Sequence, residues 1–232
     1  MASPARAISM MLVLTLAGCP RTREREASEP GETTNADEAA ERRAIEASVN
    51  GYVDSLVARD PASASGWVTS SSFAFYEQLR QLALTGTRKQ VEALGIMAII
   101  MTLELRARFT RSELEQTTGR ALFEDAIAKG MPAQPFELAD VRIDHEHASA
   151  EVWVGDQPVV WLEREQGRWL VDLPAMIDGL APLIEAEFAD AILADGKLRV
   201  AFSLLEIQRE SGAGLDLAIL DGPLDAEPTS PP

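Results

Sequence analysis

The stretch between residues 136 and 173 is the clearest β region of the chain and constrains its fold most. Four short runs stand out: Phe136–Asp144, Ala148–Val154, Pro158–Glu163 and Arg168–Leu173. Apolar residues alternate at Val141/Ile143, Ala148/Ala150/Val152/Val154 and Trp169/Val171, the period of a strand with one buried face. The breaks Asp144-His145-Glu146-His147, Gly155-Asp156-Gln157 and Glu165-Gln166-Gly167 are hairpin-length and rich in turn residues. Connections this short join antiparallel neighbours, so the region is predicted to fold as a four-stranded antiparallel meander.

Helical periodicity surrounds it. Ile45, Val49, Tyr52, Val53 and Leu56 repeat at helical spacing from about Asp37, and Asp60-Pro61 ends that run. Ser63 to Gly66 reads as a loop of small residues. A second helix starts in Ser70-Ser71-Ser72 and carries Phe73, Tyr76, Leu79 and Leu82 as far as Thr85-Gly86-Thr87. A third, over 88–109, contains an apolar run from Ala93 to Leu103. That run is too short for a bilayer, which takes about 20 residues, so the helix is expected to be central and buried or to line an apolar cavity. Met97 and Met101, one turn apart, would give such a wall adaptability. Thr110-Arg111-Ser112-Glu113 is a capping box for a fourth helix, which runs to Lys129 and ends at Gly130 and Pro132. Beyond the strands, Met176, Ile177, Leu180, Leu183, Ile184, Phe188 and Ile192 form an amphipathic stripe that Pro182 either starts or kinks. Asp195-Gly196 breaks it, and Leu198, Phe202 and Leu205 mark a last helix. The reading is an α+β fold in one globular domain, residues 40–210, followed by an acidic Gly/Pro-rich tail over 211–232.

The chain of 232 residues has 37 acidic against 21 basic side chains, a formal net charge of −16. Such a surface repels phosphate backbones, which argues against nucleic acid as a partner. Cys19 is the only cysteine, so no intramolecular disulfide can form and cysteine-rich zinc sites are excluded.

Cys19 closes a basic start with Arg6 and about a dozen apolar residues, the length of a signal-peptide core. The segment Leu16-Ala17-Gly18-Cys19 resembles the lipobox of bacterial lipoproteins. That resemblance implies that residues 1–18 are a signal peptide, that Cys19 is acylated, and that the chain is held in the cell envelope on the periplasmic or surface face of a membrane. Pro20 stands where aspartate marks inner-membrane retention in many such proteins, which points to the outer membrane. Residues 19–39 are polar, carry almost no large apolar side chain, and are expected to form a flexible tether.

The early helix with an Asp-Pro end, together with the late strand pattern ending Gly167-Arg168-Trp169-Leu170-Val171-Asp172-Leu173, resembles the nuclear-transport-factor-2-like superfamily, which includes the SnoaL-like proteins. The resemblance implies helices packed on a curved, cone-like antiparallel sheet with an apolar pocket; the helical region after the strands departs from that pattern, and its helices could cap the mouth of the cone or cover a sheet edge.

Few residues offer chemistry. His145 and His147 could meet on one strand face, but they fall in a turn and are read as solvated, with no metal assigned. The resemblance would place acids inside the cone, and Asp140, Asp144, Glu163 and Asp172 are the candidates for a carboxylate pair. Trp67, Trp153, Trp161 and Trp169 could form a stacking platform or line a pocket. No nucleophile elbow, phosphate loop, dinucleotide fingerprint or calcium loop occurs, and no cofactor is expected. The predicted function is therefore a lipid-anchored envelope domain, attached to the membrane through Cys19, that binds a small apolar ligand or an envelope protein. The alternative is a SnoaL-like cyclase, isomerase or hydrolase using carboxylates in the cone.

Overall fold

The computed structural model describes residues 35–130, 140–208, 215–221 and 224. Cys19, the segment before it and the tether as far as residue 34 lie outside the described residues, as does the predicted strand start at Phe136.

Helix α1 (Asn35–Ala58) opens with Asp37 and Glu38 in its first turn, where negative charge complements the positive end of the helix. Its start at Asn35 makes the last five residues of the expected tether helical. The predicted loop after Asp60 contains a one-turn helix, α2 (Pro61–Ala64). Asp60 caps it by accepting from the Ser63 N–H at 3.1 Å, and proline suits the first helical position. Helix α3 (Ser70–Thr85) follows as predicted.

The predicted third helix is two. A capping box at Thr87 starts α4 (Arg88–Glu92), and after a break at Ala93-Leu94-Gly95 the apolar helix α5 (Ile96–Arg108) begins. The break is held from far along the chain. The Glu185 carboxylate accepts from the Ile96 N–H at 3.1 Å, while Lys197 pairs with Glu185 at 3.0 Å and donates to the Leu94 carbonyl at 3.1 Å. The fourth helix is also split, into α6 (Arg111–Gln116), opened by the Thr110 capping box, and α7 (Gly119–Lys129), capped by Thr118. Gly119 seats the start of α7 on α3: its N–H donates to Glu77 at 2.9 Å, and a Cβ there would lie 2.5 Å from the Phe73 carbonyl oxygen. Gly130, at φ +90°, ends α7 as expected.

Strands β1 (Asp140–Asp144), β2 (Ser149–Val154), β3 (Gln157–Glu165) and β4 (Arg168–Val171) form one antiparallel sheet in the order β1-β2-β3-β4. Gln166 and Gly167, at φ 51° and 79°, make the two-residue β3–β4 turn. Both angles are positive, the condition for a type I′ turn matched to strand twist. The register aligns Val141 with Val152, Ala150 with Leu162, and Leu162 with Val171. This face is buried in one core with Ile45, Val49, Tyr52 and Leu56 of α1. The free edge of β4 is met by a short parallel bridge at Val68, where the Val171 N–H donates to the Trp67 carbonyl at 2.8 Å. That contact blunts an edge that would otherwise present unpaired backbone.

The C-terminal helices are α8 (Leu173–Glu187), α9 (Ala189–Asp195) and α10 (Lys197–Gln208). Asp172 caps α8, and Pro182 lies well inside it rather than at its start. A second core gathers Val91, Ile96, Ile99, Ile100 and Leu103 against Leu198, Ala201, Phe202 and Leu205. Helix α5 stands between the two, with Ala98 and Leu105 in the first core and Ile99 and Leu103 in the second. Its all-round apolar character thus has a structural reason.

Part of the predicted tail belongs to the fold. A 3₁₀ turn (Leu217–Leu220) buries Leu220 in the second core. Arg88 pairs with Asp221 at 3.0 Å, Arg106 donates to the Ile219 carbonyl at 3.0 Å, and Arg111 donates to the Leu224 carbonyl at 2.8 Å.

Candidate functional site

An open groove of about 400 Å³ lies between the start of α1 and the β3–β4 hairpin. Ala40, Ala44 and Ala47, at helical spacing, form the α1 wall, and their small side chains leave room for the hairpin opposite. On the hairpin, Arg164 and Trp169 are cross-strand partners, with Arg168 beside Trp169. The Trp169 ring is buried, and its carbonyl accepts from the Ser48 Oγ at 2.6 Å, which pins β4 to α1. Trp67 completes the lining. Its indole lies so close to residue 51 of α1 that only glycine fits, since a Cβ there would overlap the ring.

Two guanidinium groups rim this apolar lining in an otherwise strongly acidic chain. Arg164 sits 5.9 Å from the Trp169 ring centre and pairs with Glu41 at 3.0 Å. Glu41 also faces His145 Nδ1 at 3.4 Å. Arg168 sits 5.6 Å from the Trp67 ring centre and donates to the Gly66 carbonyl at 3.1 Å. Among the described residues no carboxylate pairs with Arg168.

The four candidate acids do not build a catalytic pair. Asp140 pairs with Arg142 at 3.2 Å on the sheet surface. Asp144 accepts from the Glu146 and His147 amides and lies 2.9 Å from the His147 ring, a set of bonds that holds its carboxyl below the usual range. Asp172 is occupied as the α8 cap. Glu163 shares a row of the sheet with Asp144, since both align with Ser149. Two strand spacings, about 10 Å, separate their backbones, and Asp144 is turned into its loop.

His145 and His147 lie in the β1–β2 turn, and among the described residues no three His, Cys, Asp or Glu side chains group as a metal site requires. The tryptophans divide between roles. Trp67 and Trp169 line the groove. Trp161 packs on α8, where Gly179 makes room for its ring, and Trp153 lies under the Arg142 guanidinium at 3.5 Å. Among the described residues no two indole rings pair. Met97 and Met101 are also separated, one packed on each core.

Sequence reasoning singled out the two groove tryptophans but not Glu41, Arg164, Arg168 or the alanine wall. The signal available was weak: alanines at 40, 44 and 47 on one side of a helix, and arginines flanking the Gly-x-Trp segment. No protein-family model matches the chain, and no curated protein or solved structure matches it either.

Proposed function

We propose that this is a bacterial envelope lipoprotein, anchored through acylated Cys19, whose globular part is a binding module rather than a catalyst. The observation that carries the reading is Leu16-Ala17-Gly18-Cys19 directly behind an apolar segment of signal-core length. A lipobox cysteine that carries a diacylglycerol would bury more than one acyl chain, which gives stable membrane attachment where a single chain gives only reversible binding. Pro20 favours the outer membrane as the address. No described helix is long and apolar enough to cross a membrane.

The binding half of the proposal is supported by the groove. Its volume of about 400 Å³ falls in the range of small-molecule sites, and its lining combines aromatic faces with a few polar groups. Of the four acids a hydrolase or cyclase could use, Asp172, Asp144 and Asp140 are engaged in a cap, a turn and a surface pair, and Glu163 stands two strand spacings from Asp144, about 10 Å. About 16 residues separate Cys19 from the start of α1, enough to reach about 55 Å when extended. The groove begins at Ala40, near the tethered end of the body. The same reading takes the sheet as the curved wall of a nuclear-transport-factor-2-like cone, with Gly167-Arg168-Trp169 opening its last strand.

Cys19→Ser tests the anchor. Cells fed an alkyne fatty acid should label the natural chain and not the variant, and the variant should leave the membrane fraction. Undiminished labelling of the variant would overturn the proposal.

A further inference from the structure

We infer that the groove between α1 and the β3–β4 hairpin takes a small amphiphile with a single anionic head, a carboxylate or a phosphate, and that Arg168 receives that head. This rests on the binding-module reading and names the ligand class.

The groove differs in charge from the rest of the chain. The chain carries a net −16, yet the lining of this groove holds two guanidinium groups and one acid, while Glu165, the cross-strand partner of Arg168, is turned away to accept from Ser70. Arg164 is matched by Glu41, whereas Arg168 makes one hydrogen bond to a neutral carbonyl and has no acid partner among the described residues. A guanidinium offers five N–H donors in a planar fork suited to an oxyanion, so Arg168 keeps donors for a ligand. Its position over the Trp67 ring limits the orientations it must give up on binding.

Trp67, Trp169 and the alanine wall form an apolar surface under the two cations, which suits a ligand with an apolar body and a charged end. About 400 Å³ is near the small end of ligand sites, enough to seat one short chain or one ring system. The acidic remainder of the surface disfavours extended polyanions, which leaves a small ligand with one anionic head group as the species the site can attract.

The test uses the full chain carrying Cys19→Ser, labelled so that the four indole N–H signals can be followed by NMR. Octanoate, octyl phosphate, octanol and octylammonium are titrated separately, each below its micelle concentration. Octanoate, octyl phosphate or both should shift the Trp67 and Trp169 signals and leave Trp153 and Trp161 unmoved. The anion that binds identifies the head group. Arg168→Gln should weaken that binding about tenfold, the worth of one charge-assisted hydrogen bond, and Arg168→Lys should restore most of it. An unchanged thermal midpoint in both variants ties the loss to the site. Octanol binding as tightly as the anions, or undiminished anion binding in Arg168→Gln, would overturn the anion assignment and leave the binding-module reading standing. No response of Trp67 or Trp169 to any probe would sink both.

Discussion

Arg106 is only 4% exposed and has no carboxylate partner among the described residues. Its guanidinium donates to the carbonyls of Leu82 at 3.0 Å, Ala83 at 3.4 Å and Gly86 at 2.5 Å, and to Ile219 at 3.0 Å. Burial pushes its pKa down to about 10, so it remains charged at neutral pH. The compensating charge is the negative end of α3, where the first three carbonyls lie. Arg106→Met keeps comparable bulk and removes every donor. Leu82 and Ala83 retain other donors, the N–H groups of Gly86 and Leu224. Gly86 and Ile219 lose the only donor found for them among the described residues. Two unsatisfied carbonyls at about 1–3 kcal/mol each, partly offset by relief from burying a charge, give a net loss of about 2–4 kcal/mol. For a domain of this size that lowers the thermal midpoint by about 4–16 °C. Urea unfolding should show the loss, and hydrogen exchange should show the 3₁₀ turn at Leu217–Leu220 opening before the rest. A variant within about 0.5 kcal/mol of the natural chain would refute the reasoning, because it would mean that water or a shift of the turn satisfies those carbonyls at no cost.

Three further perturbations test separate parts of the fold. Gly119→Ala places a methyl group against the backbone of α3, which cannot yield as a side chain can, so denaturant midpoints should report a loss of at least about 2 kcal/mol. Gln166→Asn should raise the thermal midpoint by the equivalent of about 0.5 kcal/mol, since asparagine tolerates the left-handed conformation that glutamine is forced into in the I′ turn. The Glu77 carboxyl is held down at about 2, chiefly by its hydrogen bonds from Arg80. Its contribution is therefore fully present above the unfolded glutamate value of about 4.3 and is lost as pH falls through 2. With the side chain 41% exposed the effect is limited to about 1 kcal/mol. Urea midpoints between pH 5 and 2 should fall less steeply in Glu77→Gln, and parallel curves would refute the assignment.

What could be read from the sequence was local. The turns at Gln166-Gly167 and Gly155-Asp156 announce themselves by composition, as does the Thr110 capping box, and the structure places strands and a helix start there. The breaks that escaped are tertiary. Nothing near Gly95 says that the helix stops, because the stop is made by Glu185 and Lys197, brought in from α8 and α10. The pattern Leu217, Ile219 and Leu220 inside an acidic Gly/Pro-rich tail was a usable signal for docking, outweighed by composition. The groove's signature was weak and split between distant segments, alanines near residue 44 and arginines near residue 166. Only the packing of α1 on the hairpin brings these together.

Helix α5 also shapes how the chain must be made. One of its faces belongs to a core whose opposite side is supplied by α10, about 100 residues later in synthesis. At about 5–20 residues per second, Ile96, Ile99, Ile100 and Leu103 stay uncovered for roughly 5–20 s after they emerge. An apolar helix exposed for that long is a surface on which unfinished chains associate. Chaperone dependence during production should track the bulk of this one helix face more closely than any property of the finished surface.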